Sequence, residues 1–206
     1  MNQDGTCWLD WLIHEIPDIR VFAFGYNSRE IYLVDKRKQG HSNGRTFTYA
    51  EQLCSALNDV EGRQDHSLPL TFVGHGIGGL IIKNALVLSN ARHTLYGNIL
   101  KNTHHVFFLD TPHRGLDTKI WVAVYGSMAT SQAENQFNLW NEGLTDLGKY
   151  FAGIYRNFAI TTTYSSNPIP DESGTVTISR QIYTFGRDLV TLGSNSYGFQ
   201  KYSEKI

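Results

Sequence analysis

The sequence predicts an α/β fold, a mostly parallel sheet flanked by helices. Three observations predict it. Short apolar runs of strand length alternate with longer amphipathic runs of helix length, the pattern of βαβ units. The stretch Phe72-Val73-Gly74-His75-Gly76-Ile77-Gly78-Gly79-Leu80 sets a glycine-rich turn directly between a strand and a strongly apolar helix. A further apolar run, His105 to Leu109, ends at Asp110-Thr111-Pro112-His113-Arg114-Gly115. Polar residues thus gather at the carboxyl ends of strands, where open α/β sheets carry their sites.

Each element follows in chain order. Residues 6–16 read as a helix with apolar Leu9, Leu12, Ile13 and Ile16, capped near Asp4 or Thr6 and stopped by Pro17. Trp8 and Trp11 are packing residues of this helix. Arg20 to Tyr26 reads as a buried-type strand. Thr46 to about Arg63 reads as a helix with Tyr49, Leu53, Leu57 and Val60 on one face. Pro69 to Val73 is the next strand. The helix from Ile77 to about Arg92 is apolar on most sides and therefore buried. His105 to Leu109 and Phe158 to Tyr164 are strands. Residues 131–156 are helical but polar, which suits a lid, and the region 116–156 is expected to hold such an insert, with Trp140 in it. Asn167 to Pro170 reads as a loop, and 175–185 as a final strand or two. There is no internal repeat, so residues 1–206 are expected to form one domain.

Composition narrows the function classes. The chain is 206 residues long, 41% hydrophobic and 18% charged, an ordinary globular balance. Its net charge of −1 offers no attraction for nucleic acid or anionic membrane. Lys36-Arg37-Lys38 is a short basic run in a polar loop. Cys7 and Cys54 are too few for a disulfide framework. No secretory leader and no apolar run of membrane-spanning length is read, so a cytoplasmic location without a transmembrane segment is expected.

The glycine turn carries the chemistry. The pattern Gly-x-Ser-x-Gly on a sharp strand-to-helix turn presents the serine of an α/β-hydrolase. Here Gly74 and Gly78 hold the outer positions, and Gly76 stands where the serine would be. Such enzymes carry serine, acid and histidine in that chain order. The eight histidines are His14, His41, His66, His75, His93, His104, His105 and His113, so the 93 residues after His113 hold none. A serine nucleophile needs an adjacent base to take its proton. With neither present, the ordinary route to an acyl-enzyme is closed.

Three motifs in this order resemble a known family. They are Trp8 through Tyr26 with Asn27-Ser28, then Phe72 through Leu80 with Lys83 and Ala85-Leu86, then Phe108-Leu109-Asp110-Thr111-Pro112-His113-Arg114-Gly115. The chain resembles the serine esterase (lipase-like) domains of the α/β-hydrolase superfamily, especially those fused to fungal NACHT-type immune receptors. The second motif reads Gly-His-Ser-Leu-Gly-Gly-Leu in that family, and the third reads Thr-Pro-His-x-Gly. The resemblance covers roughly residues 6–120. It implies a hydrolase-like sheet lacking its N-terminal strands, because the family's first strand and its His-Gly loop have no counterpart before the first helix. That loop supplies part of an oxyanion hole, a donor of which is worth roughly 3–4 kcal/mol in catalysis. The family's C-terminal histidine corresponds to Ser196 ahead of Lys201-Tyr202. Asp171 and Glu172 are the nearest candidates for the acid.

These readings imply a degenerate hydrolase that binds a small-molecule or lipid-like ligand or a protein partner, with no cofactor, no metal and no nucleic acid. Tyr26, Gly74, His75, Gly76, Ile77 and Thr111 are expected to line its pocket. His75, Asp110 and His113 are the residual catalytic candidates. One alternative is an esterase or lipase that is active, or formerly active, either because the sequence is an incomplete piece of it or through non-standard catalytic residues. Another is dinucleotide binding, since Gly74, Gly76 and Gly79 also fit a G-x-G-x-x-G fingerprint opening a helix. That fingerprint wants an acidic residue about 20 residues on, whereas Asp110 follows Gly79 by 31. His104 and His105 are expected to cap a strand or face solvent, and Asp110 and Arg114 to pair across their loop.

Overall fold

A computed structural model describes residues 8–27, 44–61, 68–115, 141–163, 169–171, 174–176 and 199–202. Three parallel strands, β1 (Leu70–His75), β2 (Thr103–Leu109) and β3 (Ala159–Thr163), are closed on one side by antiparallel β6 (Phe199–Tyr202), in the order β1-β2-β3-β6. Val73 stands level with Phe107, and Phe107 with Thr161, so one register runs across the parallel strands. β4 (Ile169–Asp171) and β5 (Gly174–Val176) form a separate antiparallel pair. Ile169 and Pro170 of the loop expected at 167–170 lie in β4, and Ile178, Ile182 and Tyr183 of the expected final strands lie outside the described residues.

Parallel neighbours need crossovers. Between β1 and β2 the chain runs through α3 (Ile77–Ala91) and α4 (His93–Asn102). Between β2 and β3 it runs through α5 (Glu142–Ala152) and a 3-10 turn at Tyr155–Asn157. α3 and α5 touch each other, so both crossovers lie on one face, as two successive right-handed crossovers require. α2 (Gly44–Glu61) packs on α3 and α4 from the other flank.

The core sits where these helices meet the sheet. α3 is buried nearly all round, with Leu80, Ala85 and Leu86 fully inside, as its apolar sequence requires. Phe72, Val106, Phe108 and Ile160 alternate onto the helix-covered face. Ala50, Leu53 and Cys54 of α2 close the far side, and burial pushes the Cys54 thiol up to about 12, leaving it an inert packing residue. α4 is a second helix in the crossover, beyond the one expected from sequence. Its signal is the spacing of Tyr96, Ile99 and Leu100, and Ser89 of α3 joins the two helices by donating to Tyr96 O and accepting from Leu100 N.

Two further expectations change. Residues 20–26 form no strand. Their Val, Phe and Tyr content supplies β propensity, but a strand exists only as a partner in a ladder. β1 is the edge of its sheet, and among the described residues no backbone bond from it reaches this segment. Phe24 and Tyr26 pack against the core while Phe22 is 61% exposed. The other change concerns 131–156. Residues 116–140, with Trp140, lie outside the described residues, whereas α5 buries Leu144, Leu147 and Phe151 in the core. α1 (Trp8–Glu15) forms as expected, and Pro17 follows it with Asp18 at φ 62°. Trp11 on this helix is exposed.

Candidate functional site

The site is built on the glycine turn at the carboxyl end of β1. Gly76 holds φ 53° and ψ −125°, a conformation that L side chains rarely adopt. Its N–H donates to Leu109 O at 2.8 Å, tying the turn to the end of β2. A Cβ placed on Gly76 meets nothing within 4 Å. The position that would carry a nucleophile therefore faces open space, in front of the first turn of α3, where the Gly79 N–H donates back to Gly76 O at 3.2 Å.

The flanking glycines serve packing. A Cβ on Gly74 would stand 2.7 Å from Gly79 Cα and from Ile82 Cδ1. A Cβ on Gly79 would collide with the Thr111 side chain. Strand, helix and loop thus meet at contact distances that only glycine permits. Gly78 faces the Tyr26 hydroxyl, and the Tyr26 ring lies 5.5 Å from that of Tyr49. Tyr26 is thereby brought beside the turn, as expected, while Ile77 is buried beneath it.

Two charged-type residues flank the open position. His75 Nε2 lies 4.0 Å from Asp110 Oδ2, with side chains 77% and 37% exposed. Asp110 sits at φ 48° and its N–H donates to Thr163 O at 2.9 Å, so the end of β3 fixes its place. Asp110 thus faces His75 across the turn. A neutral imidazole at His75 can accept a proton from water and a nearby carboxylate can orient it.

His113 lies elsewhere. It is 3% exposed, edge-on to the Phe108 ring at 4.8 Å. Burial, then Lys83, then Arg114 hold its imidazole well below the usual range, so it is neutral. Thr111 is fully buried, and its Oγ1 has no hydrogen-bond partner among the described residues. Lys83 is a second buried basic residue. It is 1% exposed in α3, its Nζ stands 5.4 Å from the Phe151 ring centroid, and burial followed by Arg114 lowers it to about 7. Its signal is a single lysine inside Leu80-Ile81-Ile82-Lys83-Asn84-Ala85-Leu86.

The remaining sequence candidates are dispersed. His105 stacks on Phe107 at 4.1 Å and pairs with Thr161 Oγ1 at 2.8 Å, while His104 is exposed. Asp171 lies in β4, and Lys201 and Tyr202 in β6. Glu172 and Ser196 lie outside the described residues. Among the described residues no three His, Cys, Asp or Glu groups are placed to hold a metal ion, and no helix is long and apolar enough to cross a membrane.

Comparison with known proteins decides the family. Residues 25–150 match the model of the putative serine esterase family, DUF676. The chain belongs to this family. The curated relatives of this esterase-like chain include Protein SERAC1 from Bos taurus, 25% identical over 111 residues, which are 53% of this chain and 16% of the relative. Protein SERAC1 from Danio rerio is 26% identical over 117 residues, 56% of this chain and 17% of the relative. Protein SERAC1 from Mus musculus is 27% identical over 112 residues, 53% and 16% respectively. The matched stretch spans about a sixth of these curated relatives. The parallel sheet flanked by helices is that of an α/β-hydrolase-like fold, with Gly76 at the turn where the esterase pattern carries serine.

Proposed function

We propose that this member of the serine esterase family is catalytically silent and uses its hydrolase frame to bind a small-molecule or lipid-like ligand, or a protein partner. The observation that carries the reading is Gly76, which keeps the elbow conformation and opens onto empty space without a nucleophile. Residues 114–206 carry no histidine in the place where the esterase pattern carries its base, which supports it. We place the protein in the cytoplasm and, from the motif resemblance, in a receptor system of the NACHT type. In this reading the ligand meets Tyr26, His75 and Gly76, with the buried Gly74, Ile77 and Thr111 as the floor of the site.

The test is turnover of a short-chain p-nitrophenyl ester by the purified chain, with circular dichroism as the check on folding. Folded protein with no turnover above buffer is the expected result. Turnover that disappears in His75→Ala or His113→Ala overturns the reading.

A second reading has one observation in its favour. The approach of His75 Nε2 to Asp110 Oδ2 at 4.0 Å beside the open position suits a water-activating pair. In that case hydrolysis persists in Gly76→Ala and is lost in His75→Ala. Dinucleotide binding at Gly74, Gly76 and Gly79 is separated by a titration with NAD, which should leave the melting temperature unchanged.

A further inference from the structure

The carboxyl ends of the three parallel strands are tied to one another by backbone bonds. Gly76 N–H donates to Leu109 O at 2.8 Å, and Asp110 N–H donates to Thr163 O at 2.9 Å. His75 stands level with Leu109, and Asp110 follows Leu109 in the chain, so the two side chains start from neighbouring points on a fixed platform. Asp110 also holds φ 48°, a left-handed backbone that few residues other than glycine adopt and that aspartate tolerates better than most. A backbone outlier of this kind beside an open position points to a use for the side chain it aims.

His75 Nε2 and Asp110 Oδ2 lie 4.0 Å apart. Hydrogen bonds end near about 3.2 Å, so the two groups do not bond directly. Their separation is the chord spanned by one oxygen atom bonded to both. An N–H···O bond of about 2.8 Å and an O–H···O⁻ bond of about 2.6 Å meet across 4.0 Å at an angle of about 95°. A hydroxyl oxygen takes both bonds, accepting through a lone pair and donating through its proton. The carboxylate favours the imidazole tautomer that carries its proton on Nε2, facing Asp110. Other polar groups fit less well: a carboxylate ligand is repelled by Asp110, and an ammonium meets the Nε2 proton. Gly76 leaves room for the carbon that carries the hydroxyl, since a Cβ there meets nothing within 4 Å. The Tyr26 hydroxyl adds a polar group on the Gly78 side of the turn, 3.5 Å from a Cβ placed on Gly78.

We propose that His75 and Asp110 form a two-bond seat for a single hydroxyl of the ligand, so that the site beside Gly76 takes an alcohol and rejects a carboxylic acid. This rests on the reading of a silent, ligand-binding hydrolase frame and names the chemistry of its ligand. A ligand hydroxyl makes both bonds that a water molecule makes between the same groups, so displacing the water loses no hydrogen bond.

Amide NMR spectra of the full chain, titrated with glycerol at constant pH and ionic strength, test it. The amides of His75, Gly76 and Asp110 should shift and saturate in the millimolar range that so small a ligand permits. Sodium butyrate over the same range should leave them in place, and so should dimethoxyethane, which has no proton to give Asp110. His75→Ala and Asp110→Ala should each weaken glycerol binding about tenfold. Shifts that never saturate overturn the seat, as does equal saturation by butyrate or dimethoxyethane, or full binding in either variant. The wild-type comparison of the three probes decides alone where a variant fails to fold. Glyceryl monobutyrate then separates the sources of the hydroxyl: tighter saturation than by glycerol assigns the seat to a lipid headgroup, and equal saturation assigns it to a free polyol. It also separates the seat from the reading beneath it. Release of butyrate faster than in buffer overturns the silent reading and leaves the seat to be judged by glycerol. No release together with no glycerol binding overturns the seat and leaves the silent reading in place.

Discussion

Thr111 rests its buried side chain directly on Gly79, so closely that a Cβ there would overlap Thr111 Oγ1 and stand 2.7 Å from its Cγ2. This contact locks the first turn of α3 to the loop that follows β2. Gly79→Ala should gain roughly 1 kcal/mol of helix propensity. It should lose more than that to overlap, for a net destabilisation of about 1–2 kcal/mol. Thr111→Gly should relieve the overlap, giving a coupling of similar size in a double-mutant cycle read by chemical denaturation. Additive effects would show that the close approach constrains nothing.

Gly76→Ser and Gly76→Ala test the backbone of the elbow. The added Cβ meets open space, so the cost is conformational, on the order of 1–3 kcal/mol at this φ and ψ. The two variants should lose the same amount by thermal melting, and neither should gain esterase turnover, because serine alone has no base. A serine variant as stable as the wild type would mean that the turn relaxes to a conformation any residue accepts.

Lys83 predicts a pH dependence of global stability with a definite sign. Its folded value of about 7 lies below the ordinary 10.5, so between these limits the unfolded chain binds more protons than the folded one. Stability therefore rises with pH across that window and is level with respect to Lys83 below it. Urea denaturation at about pH 7 and about pH 9 should show the wild type gaining roughly 2 kcal/mol more than Lys83→Met. His113, held below 6.5, adds a separate loss as pH falls beneath that value. Equal gains in the wild type and Lys83→Met would remove Lys83 from this account.

The parts of the fold readable in sequence were those where local chemistry and final packing agree. The apolar girdle of α3, the strand ending at His75 and the glycine turn each carry their own instruction, since the turn's backbone and close contacts demand glycine. Residues 20–26 carry strand propensity, but pairing depends on a neighbour that propensity does not reveal. The site divides in the same way. Tyr26, His75, Gly76 and Asp110 lie around the turn, the last three at the ends of β1 and β2 and Tyr26 on a segment that pairs with no described strand. His113, two residues beyond Thr111, turns inward against Phe108, and Lys83 meets it from α3. Such a buried polar cluster joins residues far apart in sequence, so spacing alone could not assemble it.

Asn141 distinguishes a packed α5 from a detachable one. Its Oδ1 accepts from Gly143 N at 2.9 Å and Leu144 N at 3.4 Å, satisfying two of the helix's leading N–H groups. Asn141→Ala should cost about 1 kcal/mol, and Asn141→Asp should retain the cap and suit the positive end of the helix. Because α5 carries Leu144, Leu147 and Phe151 into the core, that cost should appear in cooperative unfolding. The denaturation midpoint should fall while the slope stays the same. If α5 opened independently as a lid, Asn141→Ala would leave the global midpoint in place and accelerate amide exchange within 142–152 alone.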